Sequence, residues 1–527
     1  MGFIEVTNLT YKLPGGRVLF DELSFRVPSG RRVALVGANG VGKTTILKLI
    51  GGSLKQTAGF INVEGRIGYM SQFIGSFEAD TTVREFLAGL SGESVHAADA
   101  RLRRAEFIVA GPHGHSAQMR YADALAEWGE LGGYDAEVVW DTCTSAALGK
   151  RFAEVAGRRL VTLSGGEQKR LALEFMFRSD ADVLLLDEPD NFLDIPGKEW
   201  LEASLKTIRK TVLYVSHDRA LLANTADALT TLEAHSAWTH HGPFETYDMA
   251  RAQRLEKIED EQRRYKEKHD RLVAQIKEFK RRAAMNDKFA SRAKAAEKKL
   301  ERFERTSAPR ERPRDQDIKI SLGGGRTGVS VFRAQDLTFP GLLAPFSTEI
   351  VFGERVCVVG SNGTGKSHFL KLLGGEDIGH EGAWRLGARV NPALFSQLHE
   401  RPDLVTAESI TDLLRGLGLE LGQVMTMLKR YELQDAARLP FRLLSGGQQA
   451  RLQILVMEHQ SPTMLLLDEP TDNLDIDSAE ALEEALTHYQ GTVVAVTHDR
   501  YFMRMFDRFL VFGDDGSVTE ALVSPYL

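Results

Sequence analysis

The chain has 527 residues, 43% hydrophobic and 26% charged, with a formal net charge of −7. That length exceeds what one hydrophobic core supports and implies at least two domains, and no run reaches the ~18 apolar residues that a bilayer-spanning helix needs. The opening MGFIEVTNLTYKL lacks the basic start and apolar stretch of a secretory signal, and Cys143 and Cys357 supply neither a disulfide framework nor a CxxC zinc motif, so a cytoplasmic protein with no membrane partner is expected.

In chain order, RRVALVG is a short aliphatic run of the kind buried in parallel sheets, and it feeds directly into GANGVGKTT. This is a GxxxxGK[ST] loop opening a helix. Gly37, Asn39, Gly40 and Gly42 let backbone N–H groups curl around phosphate. Lys43 neutralises the β- and γ-phosphates, Thr44 offers its hydroxyl to Mg²⁺, and Thr45 completes the anion-facing turn. The expected cofactors are therefore ATP and Mg²⁺. Between about 85 and 150, YADALAEWGELGGYDAEVVW carries apolar residues near helical spacing with Gly132-Gly133 as a turn, which predicts a helical arm inserted in the first domain. Beyond it stand LSGGEQKR from Leu163 and VLLLDEP, which puts Asp187 at the end of a buried strand to hold Mg²⁺ through water. Glu188 follows, a carboxylate placed to polarise the attacking water.

Between Arg251 and Arg314 the chain carries 22 Lys and Arg against 12 Asp and Glu, a net +10 that leaves −17 for the remainder. Leu255, Ile258, Gln262, Tyr265, His269, Leu272, Ile276 and Phe279 recur at spacings of three and four, and Phe289, Ala293, Ala296, Leu300 and Phe303 form a second seam. The pattern predicts an antiparallel helical hairpin, its first helix near 30 residues, with its tip around Arg281 to Lys288. Such a basic prong suits phosphate contacts on RNA; the plain alternative is a solvated coiled coil.

The first set of motifs then recurs. ERVCVVG leads into GSNGTGKS, with Gly360, Asn362, Gly363, Gly365, Lys366 and Ser367 in the roles of their counterparts. Ser164 to Asp187 and Ser445 to Asp468 both span 23 residues, and Asp187 to His217 and Asp468 to His498 both span 30. Equal spacings indicate two copies of one fold. Gln72 to Ser164 spans 92 residues against 48 for Gln397 to Ser445, and the arm accounts for the excess.

LSGGEQ and LSGGQQ separate this chain from other P-loop proteins: it resembles the ATP-binding cassette (ABC) superfamily, outside the arm and connector. The resemblance implies that Ser164, Gly165 and Gly166 close over the nucleotide held by Lys366, and Ser445, Gly446 and Gly447 over the one held by Lys43. It also implies that Gln72 and Gln397 sense Mg²⁺ and the attacking water, that His217 and His498 sense the γ-phosphate, that Glu188 and Glu469 are catalytic, and that Asp468 repeats the part of Asp187. Tyr11 and Phe339 would stack on adenine. Two cassettes, no membrane domain, a charged hairpin and an arm narrow the resemblance to the ABC-F family. The expected architecture is α/β: a first cassette over 1–245, a basic hairpin linker over 246–325 and a second cassette over 326–527. The family implies a monomeric ATPase whose paired cassettes hydrolyse two MgATP and whose 251–314 linker meets rRNA and P-site tRNA on the ribosome. Its members are translation factors or antibiotic-resistance proteins that protect ribosomes. A tandem ATPase subunit energising a membrane importer also joins two cassettes, but has no use for a basic hairpin. EPDNFLD places Asp190 where EPTDNLD keeps Thr471, which predicts unequal turnover at the two sites.

Overall fold

The computed structural model describes residues 2–71, 80–111, 115–233, 235–283, 288–307, 313, 318–396, 402–405 and 407–526. The chain divides into two compact units, one formed by Met1–Thr239 with Gln316–Leu527 and the other by His240–Asp315.

In the larger unit, strands Ile67–Met70, Val183–Asp187, Thr211–Val215, Arg32–Val36, Ala228–Glu233 and Ser236–His240 lie in that order in a six-stranded sheet. Parallel ladders join the first five. Val183–Asp187 and Thr211–Val215 are buried at every position, which is why they read as unbroken aliphatic runs. The second half repeats the order with Pro392–Phe395, Met464–Asp468, Thr492–Val496, Arg355–Gly360, Arg508–Phe512 and Val518–Ala521. Each half adds a three-stranded antiparallel sheet, centred on Phe3–Lys12 in one and Ser330–Phe339 in the other. The repeat in motifs is thus a repeat in topology. It matters for chemistry because adjacent parallel strands end at one edge, so Gly37, Asp187 and Ser216 leave the first sheet side by side.

The predicted arm is helical, comprising Val83–Leu90, Glu93–Val109, His115–Glu130 and Gly133–Leu148. Its turn needs glycine at both positions. Gly132 has φ 76°, and any Cβ at Gly133 would strike the Trp128 ring. Trp128 and Trp140 are fully buried, and the Arg84 guanidinium lies 5.7 Å from both ring centres while pairing with Asp99 at 2.6 Å and Glu137 at 2.8 Å. Cation, rings and carboxylates therefore fix the arm on its own core.

The smaller unit is a helical hairpin of Tyr247–Ala283, 37 residues, and Lys288–Ser307, 20 residues. Pairing is antiparallel: Tyr265 stacks on Phe303 with ring centres 4.8 Å apart, Phe279 faces Phe289 at 6.3 Å, and Lys280 meets Glu297 at 2.6 Å. Ile258, Leu272, Ile276, Ala293 and Ala296 are buried, as the heptad spacing requires. The first helix is longer than the seam suggested. Residues 247–254 add polar and alanine-containing turns with no breaker, and the helix runs back to Tyr247, just after Pro243 and the short turn Phe244–Thr246. Among the described residues no helix is long and apolar enough to cross a membrane.

Candidate active site

The two phosphate loops repeat one another in detail. Gly37, Gly40 and Gly42 have φ of 144°, 81° and 107°, and Gly360, Gly363 and Gly365 have 151°, 86° and 93°. Only glycine holds these values without strain, and at Gly42 a Cβ would also sit 2.6 Å from the Phe20 ring. Helices Lys43–Ile50 and Lys366–Leu373 begin here without any side-chain cap. Their first N–H groups are left to face an anion. Lys43 Nζ donates to the Gly37 carbonyl at 2.7 Å and the Ala38 carbonyl at 3.2 Å; Lys366 Nζ does the same to Gly360 and Ser361 at 2.8 and 2.7 Å. Burial lowers both ammonium pKa values, with nearby carboxylates opposing it. A triphosphate supplies the negative charge that such a site lacks. Thr45 lies in the same first turn of the helix as Thr44, and Ser367 takes the place of Thr44 in the second half.

Asp187 is buried, which raises its pKa; the nearby Thr44 hydroxyl and the charges of Lys169 and Lys43 work against that rise. Thr44 and Asp187 are therefore together, the pair that would hold Mg²⁺. Asp468 ends the equivalent strand. Glu188 and Glu469 stand at φ 48° and 47°, in the left-handed region that a non-glycine residue enters at a cost of roughly 1–3 kcal/mol. Each is held by its backbone N–H donating to the neighbouring strand, Glu188 to Val215 at 3.0 Å and Glu469 to Val496 at 2.9 Å. The left-handed turn places both residues just past the ends of their strands. Burial, then the charges of Asp472 and Asp468, push the Glu469 carboxyl well above its ordinary range, which makes it a better base.

His217 has both ring nitrogens buried without a hydrogen-bond partner, and burial followed by the Lys43 charge lowers its pKa to about 3. A neutral imidazole with unmet hydrogen-bonding capacity beside a phosphate loop fits a phosphate ligand. His498 is likewise driven well below its usual value by burial and Lys366, and its backbone N–H donates to Glu469 Oε2 at 2.9 Å.

The halves meet head to tail. Asn39 N–H donates to Asp475 Oδ2 at 2.7 Å and its amide donates to the Asn473 carbonyl at 2.9 Å; in mirror fashion the Asn362 amide donates to the Phe192 carbonyl at 3.0 Å. These contacts bring each serine-glycine motif to the opposite phosphate loop. Gly447 packs so closely on the Asn39 amide that a Cβ would collide with it, and a Cβ at Gly166 would lie 3.4 Å from the Asn362 amide. Ser164 and Ser445 cap helices Gly165–Arg178 and Gly446–Gln460 through capping boxes with Glu167 and Gln448. A cavity of about 370 Å³ is lined from one side by Ser164, Gly165 and Gly166 and from the other by Lys366, Glu469 and His498. Symmetric ion pairs, Arg219 with Glu483 and Arg500 with Glu202, flank the seam.

Two expectations fare differently. Tyr11 is partly buried against the first core, whereas Phe339, expected to stack on adenine, is 2% exposed inside the second core. Leu342, on the loop after it, lines the cavity. Gln72 and Gln397 lie outside the described residues. Sequence reading missed Asp475, Asn473 and Lys198, because their partners are hundreds of positions away. The available signal was the LD pair that ends each EPxxxLD run just before a helix, at Asp194 and Asp475.

A family model described as ABC transporter matches residues 20–191 and 343–472, and a second of the same description matches 230–320. A Mycobacteroides abscessus protein named "Antibiotic resistance protein" is 44% identical, with 99% of each chain covered. The Mus musculus "ATP-binding cassette sub-family F member 3" is 31% identical over 96% of this chain and 70% of its own. Among solved structures, "Model of ribosome-bound archaeal Pelota and ABCE1" shares the fold with a TM-score of 0.57 at 19% identity, covering 98% of this chain and 78% of that one.

Proposed function

Because the chain belongs to the ABC-F family of tandem ATP-binding-cassette ATPases, we propose that it binds two MgATP between its cassettes and acts on the ribosome. The observation that carries the reading of shared sites is the composite cavity, in which Ser164, Gly165 and Gly166 of one cassette face Lys366, Glu469 and His498 of the other; the approach of Gly447 to Asn39 supports its counterpart. In each site the phosphate loop and lysine hold the triphosphate, Thr44 with Asp187 or Ser367 with Asp468 holds Mg²⁺, and Glu188 or Glu469 orients water at the γ-phosphate. Since a nucleotide is gripped from both sides, ATP holds the halves together and hydrolysis loosens them. The ribosome as partner is supported by the basic hairpin and by membership of the ABC-F family, and the name of the 44% relative favours antibiotic resistance as the role.

The test uses the Glu188→Gln/Glu469→Gln variant, which binds ATP without turning it over. With ATP it should co-sediment with purified 70S ribosomes at near-stoichiometric amounts, and with ADP it should not. Equal recovery with either nucleotide, or retention by membranes in place of ribosomes, sinks the reading. Expression in a susceptible host, scored for growth against ribosome-targeting drugs, then decides between protection and a general translation role.

A further inference from the structure

Comparing the two halves in motif register exposes a buried asymmetry. Five residues after Ser164 stands Lys169, and five after Ser445 stands Ala450; three after Asp187 and Asp468 stand Asp190 and Thr471; eleven after them stand Lys198 and Ala479. All three charged members are buried, at 1%, 5% and 5% exposure. A buried carboxylate needs cations near it, and the Asp190 charge is felt by Lys169 and Lys198 alike. The second half has none of this set.

Lys198 is the member that crosses the seam. It opens the helix Ile195–Thr207 of the first cassette, yet it lines the cavity holding Lys366. Its ammonium lies 2.9 Å from Asp218 Oδ2 and donates to the His498 carbonyl at 3.2 Å. Asp218 follows His217 and caps the helix Arg219–Thr225, accepting from Leu221 N–H at 2.9 Å. A single buried cation thus joins the segment behind one switch histidine to the backbone of the other. His498 in turn holds Glu469 through its backbone N–H, which donates to Oε2 at 2.9 Å. The side chain of Ala479, at the related position, can donate nothing.

We propose that Lys198 is a positioning residue supplied by the first cassette to the second nucleotide site, where it fixes the His498–Glu469 pair and makes turnover there depend on the posture of the His217–Asp218 segment. Site two is therefore preorganised by its neighbour, and site one lacks the reciprocal tie.

This rests on reading Glu188 and Glu469 as serving one site each, so the experiment separates the two. In the full chain, Asp190→Thr/Lys198→Ala installs two of the second half's own residues and removes a buried charge of each sign together. With Glu188→Gln, where site two alone turns over, the double change should lower kcat by roughly tenfold and leave KM for ATP within about twofold. With Glu469→Gln, the loss should stay under about threefold, and Lys198→Arg should restore much of the site-two rate. Equal losses in both backgrounds, or none in either, overturn the proposal. Should the Glu188→Gln/Glu469→Gln protein still hydrolyse ATP, the glutamate assignment fails by itself. Amide exchange across Thr497–Asp499 then judges Lys198: faster exchange in the Asp190→Thr/Lys198→Ala protein supports it, and an unchanged rate overturns it.

Discussion

His217 shows how burial sets chemistry at the scale of one residue. With its pKa lowered to about 3 by burial and then by Lys43, the ring is neutral when folded, whereas in the unfolded chain it titrates near 6.5. A depressed folded value means stability is intact above the unfolded pKa and declines as pH falls below about 6.5 toward 3. At pH 5 this one residue costs about 2 kcal/mol, at 1.36 kcal/mol per pH unit. The ATP-free protein should therefore lose about 2 °C of melting temperature between pH 7 and pH 5 through His217 alone, and His217→Gln should show a flatter decline over that range by calorimetry. A variant as pH-sensitive as the wild type would show that the ring is not buried neutral. Most residues of this kind were legible from sequence, because Lys43, Asp187, Glu188 and His217 sit in local motifs whose chemistry demands them. Phe339 marks where sequence alone stops: an aromatic at the end of a strand is equally suited to stacking on a base or to filling a core, and its 2% exposure packs it in the core.

Elements convert those residues into a mechanism, and the signature helices do so through backbone alone. Gly446–Gln460 starts at the loop cradling Asn39, and the approach at Gly447 leaves no space for a methyl group. Gly447 has ordinary helical backbone, so alanine there is conformationally acceptable and should favour the helix itself by somewhat under 1 kcal/mol. Gly447→Ala should accordingly leave the fold intact, keep ATP affinity within about threefold, and reduce turnover by roughly tenfold or more by holding the halves apart. Wild-type kcat in that variant would mean that hydrolysis does not require this close approach. The hairpin was legible because heptad spacing declares a seam, and Tyr265 with Phe303 meets the expectation. Its length was not, since a seam reports where helices touch and is silent on solvated turns such as 247–254. The seam between cassettes left no periodic trace at all, as its partners are single residues, Asn39 with Asp475 or Lys198 with His498.

For the molecule as a whole, charge is distributed against its sum: +10 over 251–314 and −17 elsewhere. Two acidic cassettes would on balance be repelled by a polyanion, which favours the hairpin as the surface for any association with RNA. Near its tip, Lys280 pairs with Glu297 at 2.6 Å, and Arg281 and Arg282 both reach Glu278. Such exposed pairs contribute about 0–1 kcal/mol, and phosphates can displace the carboxylates at little cost. If the hairpin meets ribosomal RNA as proposed, the logarithm of the association constant should fall linearly with the logarithm of salt concentration, and each phosphate that is no longer neutralised should reduce the slope by roughly 0.7–0.9. Lys280→Gln/Arg281→Gln/Arg282→Gln, prepared with Glu188→Gln and Glu469→Gln to hold ATP, should weaken ribosome binding in low salt and flatten the slope by up to about 2–3. ATP binding to the ribosome-free protein should be unchanged. A slope identical to that of the parent would show that these cations only solvate the coiled coil.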